Sequence, residues 1–321
     1  MAGWYSLFDY FCNLYQKTFE RTVRMKKRIL FIINPKSGTG RYRRVPQRVE
    51  RFLDREKFDY DIRYTERSGH AAEMAAQAVS EGVSVVVSVG GDGTLNEVVR
   101  SLAGTETALA VFPTGSGNGL AHHMHLPFNL KRAVLLLNRD HEERIDTVNL
   151  DGMTYASIAG VGFDAYVAER YSHVRRRGFF PYFRIILSSY FRYRPRTYRL
   201  TGEGRTVEVE ALLVSFANSS QWGFDVKISP EASVQDGLVD VTVVRKPPLY
   251  ALPMVLLFLF SGNLERMKKY VSVYEMKKFS VEAADTQPLF THLDGDFAGM
   301  RQRVDVDVAP KSLQMVLKQT Y

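Results

Sequence analysis

The sequence predicts an α/β protein in which a doubly wound domain with a parallel sheet precedes a second, mainly antiparallel β domain. From residue 28, short apolar strands alternate with helical stretches, which is typical of a parallel sheet with crossover helices. After about residue 146 the pattern changes to period-two alternation, with turn dipeptides such as Asp151-Gly152 and Asp236-Gly237. A length of 321 residues fits two such domains.

The first domain is predicted from four buried strands and the helices between them. The strands are Ile29–Asn34, Tyr60–Thr65, Ser84–Val89 and Ala108–Phe112. The helices, each preceded by a loop rich in Gly, Pro or Ser, are Val45–Leu53, His70–Val79 and Leu95–Leu102. In doubly wound sheets, ligands bind beyond the carboxyl ends of the strands. We therefore expect the loops after Ile33, Val89 and Phe112 to converge on one site.

The second domain is predicted from strands whose faces alternate between apolar and polar residues. They are Arg205–Asn218, Gly237–Val244, Tyr270–Val281 and Arg303–Val308. Two segments interrupt this pattern: Tyr171–Arg199, rich in arginine and aromatic residues, and the apolar Leu249–Phe260. The predicted division is an N-terminal helix and basic linker at 1–27, the α/β domain at 28–145 and the β domain at 146–308. The end of the chain, about 309–321, is expected to pack back on the α/β domain.

The N-terminal residues predict an amphipathic helix with an aromatic face. Its apolar residues, spaced three or four apart, are Trp4, Leu7, Phe8, Phe11, Leu14, Tyr15, Phe19 and Val23. A basic cluster follows, made of Arg21, Arg24, Lys26, Lys27 and Arg28. This combination is found in helices that lie in a membrane interface, and packing on the folded domain is the alternative.

Charge and composition narrow the classes of partner and compartment. The 43 Lys and Arg residues outnumber 35 Asp and Glu, and the net charge of +8 favours a nucleic acid, an anionic membrane or a phosphate ligand.

The single cysteine, Cys12, cannot form an internal disulfide, which favours the cytoplasm as the compartment. The apolar Leu249–Phe260 contains Pro253 and is shorter than the roughly 20 residues of a membrane span. Met1–Phe19 lacks a small-residue cleavage site, so no signal peptide is expected.

Three glycine-rich loops follow buried strands, at Asn34–Gly40, Gly90–Glu97 and Pro113–Gly119. Glycines let backbone N–H groups approach phosphate oxygens closely, and a helix N-terminus favours an anion. One such loop can be a plain strand-to-helix turn, whereas three in register indicate a phosphate site. None matches a Walker A sequence. The histidines at 122, 123 and 125 are expected to pack or to line this site rather than to bind a metal.

An ordered set of motifs resembles the diacylglycerol kinase catalytic-domain family, which includes sphingosine and ceramide kinases and bacterial lipid kinases. The motifs are NPKSG, GGDGTLNE, PTGSGNGLA, GVGFDA, VQDGLVDV and a late LDGD. The match runs from Arg28 to the C-terminus in the family's order, although GGDGT alone also occurs in NAD kinases and phosphofructokinases. The resemblance implies a nucleotide-binding first domain with the NAD kinase and phosphofructokinase type of fold, and a kinase that uses ATP and Mg²⁺.

The resemblance also implies roles for individual residues. The positions that match ATP-binding residues are Asn34, Pro35, Lys36, Ser37, Gly38, Thr65, Gly90, Gly91, Asp92, Gly93, Thr94, Leu95, Asn96 and Ser116. Asp92 would organise the phosphates and magnesium. Asp294 and Asp296 match an Asp-Gly-Glu element that supplies the catalytic base, and the shorter Asp296 in place of Glu leaves open which carboxylate takes the proton. A second-domain magnesium site of bacterial relatives matches Ser233, Asp236 and Leu238, where a plain hairpin turn is the alternative.

The acceptor of the phosphoryl group is expected to be a lipid alcohol. Phosphoryl transfer needs held phosphates, neutralised charge and a hydroxyl oriented by a carboxylate. The arginines and aromatic residues between 175 and 196 favour an anionic membrane surface as partner. Nucleic acid is not expected, because no recognisable binding motif accompanies them. Diacylglycerol and a sphingoid base both stay open, with Asp164 near the position where sphingosine kinases contact the head group.

We therefore expect a cytoplasmic, peripherally membrane-associated lipid kinase, and homodimer formation is left open. Two other functions stay open. An NAD kinase-like small-molecule kinase would share GGDGT but would not need the PTGSGN loop or the aromatic N-terminal helix. A non-catalytic membrane-binding relative would keep the basic aromatic surface and lose the acidic residues, whereas Asp92 and Asp294 are present.

Overall fold

The structure, a computed structural model, describes residues 26–38, 40–174 and 179–318. The predicted N-terminal amphipathic helix, Trp4 to Val23, lies outside the described residues, as do Arg175, Arg176 and Arg177. Across these three ranges, no helix has both the length and the apolar character needed to cross a bilayer.

Four parallel strands form the first half of the fold. They are β1 Lys27–Ile33, β2 Phe58–Tyr64, β3 Val85–Gly90 and β4 Ala108–Pro113, paired in the order β2-β1-β3-β4. Its helices are α1 Val45–Phe52, α2 His70–Ser80, α3 Asp92–Leu102, α4 Gly119–His123 and α5 Leu130–Leu137. Every residue of β3 and β4 is buried, as expected for central strands covered on both faces. The predicted parallel sheet is confirmed.

The strand order places a crevice at the carboxyl ends of β1 and β3. The chain passes from β1 to β2 on one side and then crosses to β3 on the other, so the direction of winding reverses between β1 and β3. Open α/β sheets bind ligands at such a reversal. Asn34, Gly91 and Thr114 follow β1, β3 and β4 at this edge.

The second half of the fold is mainly antiparallel, as predicted. Its strands are β5 Glu142–Leu150, β6 Met153–Tyr155, β7 Ile158–Gly162, β8 Arg196–Gly202, β9 Arg205–Ala211, β10 Leu213–Ala217, β11 Val239–Val244, β12 Val271–Met276, β13 Lys278–Ala283, β14 Leu289–Leu293, β15 Asp296–Arg301 and β16 Arg303–Val316. Its helices are α6 Phe163–Ser172, α7 Phe179–Arg192 and α8 Leu252–Ser261. Six strands form a separate sheet in the order β12-β11-β10-β7-β14-β15.

The long strand β16 joins the two halves. It pairs with β13 and β5 in antiparallel fashion, and its Met315 lies beside Leu109 of β4 in parallel. The parallel sheet therefore continues through β16 into β13, β8 and β9. Leu313 and Met315 are fully buried in the hydrophobic core of the α/β half, so the last strand of the chain helps to fix the position of the β half.

Two predicted strands are each divided between the two sheets. The predicted Arg205–Asn218 is β9 and β10, separated at Leu212, and the predicted Tyr270–Val281 is β12 and β13, separated at Lys277. In both cases the chain leaves one sheet and enters the other. A period-two pattern records which faces of a strand are buried but does not record its pairing partner, so the sequence predicted one strand in place of two.

Candidate active site

The three glycine-rich loops meet at the predicted edge of the sheet. Thr114 and Gly115 both donate their backbone N–H groups to the carbonyl of Gly90 at 2.9 Å. A Cβ on Gly115 would lie 2.4 Å from Gly91 Cα, and a Cβ on Gly38 would lie 1.9 Å from Thr114 O. Gly38 also has a φ of +61°, which favours glycine. The loops can approach each other this closely only because these positions lack side chains.

The first loop offers polar groups to a ligand. The Asn34 side chain donates to Thr94 Oγ1 at 2.8 Å and accepts from the Lys36 N–H at 2.9 Å, which fixes the loop on helix α3. Ser37 Oγ is buried and has no hydrogen-bond partner among the described residues. A buried hydroxyl beside a glycine cradle fits a phosphate group, because an anionic oxygen would satisfy the hydroxyl. The residues present therefore fit the predicted nucleotide phosphates.

Asp92 begins helix α3 and organises the third loop. Its carboxylate accepts the N–H groups of Asn118 at 2.7 Å and Gly119 at 2.8 Å, at the start of α4. Burial raises its pKa, the two N–H groups oppose this, and the charge of Asp296 adds to the rise. In this arrangement Asp92 ties the second glycine-rich loop to the third.

Asp294 lies in the turn after β14 and is held by both halves of the fold. Its Oδ1 accepts the Ile158 N–H at 3.0 Å, and its Oδ2 accepts the Asn96 side-chain amide at 2.7 Å. Burial is the main reason that its pKa rises to about 6, and the nearby charge of Asp92 contributes. The hydrogen bonds from Ile158 and Asn96 limit the rise. A carboxyl with a pKa close to neutral, fixed in orientation, is suited to accept a proton.

Asp296 begins β15, is exposed, and lies beside the start of α3. Its Oδ2 would be 2.8 Å from a Cβ placed on Gly93. The structure thus brings together the three sequence-predicted carboxylates, Asp92, Asp294 and Asp296, from opposite halves of the chain. Carboxylate oxygens are the donors that Mg²⁺ prefers, and the ion usually takes one or two of them together with phosphate oxygens. The donor set therefore fits magnesium, although no group of three or more His, Cys, Asp or Glu side chains within residues 26–38, 40–174 and 179–318 is arranged to hold a metal alone.

Asp164 is not an exposed anion. Its Oδ2 is 2.9 Å from His292 Nε2, and the two side chains are 11% and 3% exposed. Gly160 makes room for the pair, since a Cβ there would lie 2.9 Å from His292 Nε2 and 3.0 Å from Asp164 Oδ2. The GVGFDA motif thus serves this buried contact. Sequence reasoning missed His292, for which the only signal was its position two residues before Asp294.

The predicted magnesium residues of the β half form a turn. Ser233 Oγ accepts the Gln235 N–H at 3.2 Å, and Asp236 Oδ1 accepts the Leu238 N–H at 2.9 Å. Asp146 holds this turn by accepting the Gly237 N–H at 2.7 Å. Because Asp236 is exposed and satisfies its own turn, these contacts are those of a plain turn, which lies in the long connection between β10 and β11 and not in a hairpin. Magnesium binding at Ser233, Asp236 and Leu238 stays a prediction, and no chemical step is derived from it.

A segment of the β half that sequence reasoning missed covers the third loop. A Cβ on Gly119 would lie 2.8 Å from Gln221 O, and a Cβ on Gly223 would lie 2.8 Å from Gly117 C. Gln221 Oε1 and Trp222 Nε1 are buried, and neither has a hydrogen-bond partner among the described residues. The only feature of the sequence that could have indicated this close contact is the glycine after Trp222. Through their backbone atoms, Gln221 and Trp222 border the loop that carries the predicted Ser116.

Of the three histidines after the third loop, His123 packs against the covering segment, whereas His125 is exposed. The Ser220 N–H donates to His123 Nδ1 at 3.1 Å, which requires an unprotonated nitrogen. Burial, with a smaller contribution from His125, lowers the pKa of His123 to about 4. His123 is therefore neutral near pH 7 and fastens the covering segment to α4.

Comparison with known proteins gives a consistent result along most of the chain. The family profile described as the diacylglycerol kinase catalytic domain matches residues 28–150, and the YegS C-terminal NAD kinase beta sandwich-like domain matches residues 157–317. A diacylglycerol kinase of Mycobacterium tuberculosis is 29% identical over 254 residues, covering 77% of this chain and 81% of the relative. A probable lipid kinase YegS-like of Stenotrophomonas maltophilia is 29% identical over 269 residues, covering 80% and 86%.

Solved structures show the same fold. A putative diacylglycerol kinase from Bacillus anthracis superposes with a TM-score of 0.73 at 21% identity, covering 91% of this chain and 97% of that chain. At this identity the likeness concerns the fold alone.

Among curated relatives, a diacylglycerol kinase of Staphylococcus saprophyticus is 26% identical over 280 residues, covering 86% of this chain and 90% of the relative.

Proposed function

The chain belongs to the diacylglycerol kinase catalytic-domain family of lipid kinases, and from this premise we propose that it phosphorylates the hydroxyl of a diacylglycerol-like lipid, with ATP and Mg²⁺. The observation that carries the proposal is the meeting of Asp294 with Asn96 at 2.7 Å, because it places a carboxyl of raised pKa beside the glycine-rich loops. The same arrangement would suit any alcohol acceptor, so the lipid must be argued separately.

The α/β half is proposed to hold the nucleotide. Backbone N–H groups of the loops around Gly38, Gly91 and Gly115, with Ser37 Oγ, would bind the phosphates. When bound, ATP supplies the γ-phosphoryl group and Mg²⁺ neutralises charge on its oxygens. Asp92 keeps the second and third loops in one arrangement, and the exposed Asp296 lies beside the start of α3.

Asp294 is proposed to be the general base. Its pKa of about 6 leaves it mostly ionised at pH 7 and able to accept a proton as the lipid hydroxyl attacks. Its hydrogen bonds from Ile158 and Asn96 leave each oxygen a further lone pair. Asp296 is exposed at the first position of β15, whereas both oxygens of Asp294 accept hydrogen bonds that orient its carboxylate.

The buried Asp164–His292 pair favours a neutral alcohol over a sphingoid base. Recognition of a charged amine requires an anion that faces the substrate, whereas the Asp164 carboxylate is 11% exposed and already contacts His292. The relatives from Mycobacterium tuberculosis and Staphylococcus saprophyticus are named diacylglycerol kinases, which points in the same direction. A sphingoid base is therefore the second choice of acceptor.

The two other functions are less well supported. An NAD kinase-like activity leaves the exposed apolar surface of the β half without a purpose. A non-catalytic membrane-binding role leaves the convergence of Asp92, Asp294 and Asp296 without one. We propose that the enzyme acts in the cytoplasm, peripherally associated with an anionic membrane.

The direct test is incubation of the full chain with labelled ATP and Mg²⁺, followed by chromatography of the products. Parallel reactions contain diacylglycerol, sphingosine, ceramide or NAD. The proposal predicts labelled phosphatidic acid, with little label on sphingosine or ceramide. The proposal would be overturned if NAD alone became labelled. It would also be overturned if protein that is shown to bind ATP labelled none of the acceptors.

A further inference from the structure

Helices α7 and α8 of the β half together expose an apolar face. The most informative members, here named the α7/α8 face, are Leu187, Phe191, Tyr250, Met254, Leu257 and Phe260. Their exposed fractions lie between 49% and 82%. An exposed apolar patch of this kind marks an interaction site in a soluble domain.

Contacts at the end of α7 make the face continuous. Tyr190 donates its hydroxyl to the carbonyl of Pro247, in the segment that leads into α8. Lys246 donates to the carbonyls of Tyr190 at 2.9 Å and Tyr193 at 2.8 Å, as a cation at a helix C-terminus is expected to do. The end of α7 is therefore fixed to the segment that leads into α8.

Helix α8 carries more apolar surface than its packing uses. Leu252, Val255 and Leu259 pack partly buried against the neighbouring core, while Met254 and Leu257 point outward. No residue of α8 is fully buried and none is charged. Its 10 residues measure about 15 Å, half of a bilayer's hydrocarbon thickness, so the helix cannot cross a membrane. It can lie in the headgroup region.

The charge around the α7/α8 face indicates which partner binds there. Residues 179–194 and 245–270 contain eight Lys and Arg residues and a single acidic residue, Glu265. Arg184, Arg192, Lys268 and Lys269 are exposed. A second copy of the chain would bring these like charges together, which disfavours self-association through the face. An anionic lipid surface complements both the apolar residues and the cations.

The face is also connected to the catalytic carboxylates. Helix α7 packs on α6 through Arg170, which donates to Ser189 Oγ at 2.7 Å. Near its start, α6 carries Asp164, which contacts His292, two residues before Asp294. One packed unit thus links the exposed helices to the proposed base.

We propose that the α7/α8 face docks on an anionic membrane and brings the lipid hydroxyl to the site. Only the identity of the lipid rests on the proposed function.

The test is vesicle co-sedimentation of the full chain, without ATP. The double variant Met254→Glu, Leu257→Glu should bind phosphatidylglycerol-containing vesicles at least about tenfold more weakly than the unaltered chain. The control Leu135→Glu, at a leucine that is 42% exposed on α5, should bind within about twofold.

A second variant and two further readouts keep the result unambiguous. Leu257→Trp tests insertion without an added charge, and brominated lipid should quench its fluorescence more strongly than that of the unaltered chain, which already contains Trp4 and Trp222. Activity on a short-chain, water-soluble diacylglycerol should be unchanged in the double variant. If the unaltered chain has no such activity but the double variant still binds vesicles more weakly, the proposed function is wrong and the docking proposal stands. The docking is overturned if the double variant binds vesicles as well as the unaltered chain does and Leu257→Trp shows no added quenching. It is also overturned if light scattering shows that the double variant has lost a dimer while its vesicle binding is intact.

Discussion

Asn96 donates its side-chain amide to Asp294 Oδ2 at 2.7 Å, across 198 positions of sequence. Asn96 belongs to helix α3, whose first turns form part of the second glycine-rich segment, and Asp294 belongs to a turn of the β half. The resemblance had assigned Asn96 to ATP, yet the structure places its amide on the proposed base. This contact joins the two halves of the fold at the candidate site.

Replacement of Asn96 by Ala should shift the pH dependence of turnover. The Asn96 hydrogen bond stabilises the ionised form of Asp294, so its loss raises a pKa that already lies at about 6. The base must be ionised, and activity is lost as the pH falls through this pKa. The acid limb of kcat/KM should therefore move upward by roughly one pH unit. A limb that stays in place would show that Asn96 does not act on the base.

The suitable control is Asn138→Ala. The Asn138 side chain donates to the carbonyl of Phe52 at 2.8 Å and accepts the Asp54 N–H at 2.9 Å, contacts that belong to the α/β half alone. Its loss should reduce the free energy of unfolding by about 1 kcal/mol and leave the acid limb unchanged.

Replacement of Asp92 by Asn should reduce turnover by about a hundredfold or more. The change removes the charge and turns an NH₂ group toward the N–H of Asn118 or Gly119, so the second and third loops lose their link. Steady-state kinetics on a lipid panel measures the effect. The matched control is Glu97→Gln on the same helix, since Glu97 accepts the Gly69 N–H at 2.7 Å and serves α2. Near-normal turnover in Asp92→Asn would remove Asp92 from the site.

Asp164 and His292 should be energetically coupled. A double-mutant cycle with Asp164→Asn and His292→Gln, read as the free energy of unfolding in urea, should give a coupling of about 1–3 kcal/mol, because the pair is nearly buried. Additivity within about 0.5 kcal/mol would mean that the contact contributes nothing of its own. Asp164→Asn should also keep a preference for diacylglycerol over sphingosine.

The sequence was sufficient to predict the parallel strands and the edge of the sheet at which the three loops converge. Strands such as Val85–Gly90 are buried along their whole length, so their apolar runs are visible without knowledge of the partners. The convergence of the loops followed from the rule for doubly wound sheets. The three carboxylates came from the family resemblance, and the fold then brought them together.

The remaining features depend on contacts between distant residues. The pairing of His292 with Asp164 spans 128 positions, and no local pattern distinguishes this histidine from one that packs in a core. Trp222 reaches the third loop because Gly223 adopts a φ of +108°, which a strand pattern does not record. The divided strands at Leu212 and Lys277 likewise reflect a choice between two sheets.

Turnover of Asp294→Asn and of Asp296→Asn at saturating ATP decides whether Asp294 is the base. Burial makes the charge of Asp294 costly, so Asp294→Asn should stay folded, which its thermal unfolding will check. We expect Asp294→Asn to lower kcat by about a thousandfold with little change in the KM for ATP, and Asp296→Asn to retain much more turnover. Turnover of Asp294→Asn equal to or above that of Asp296→Asn would contradict the account.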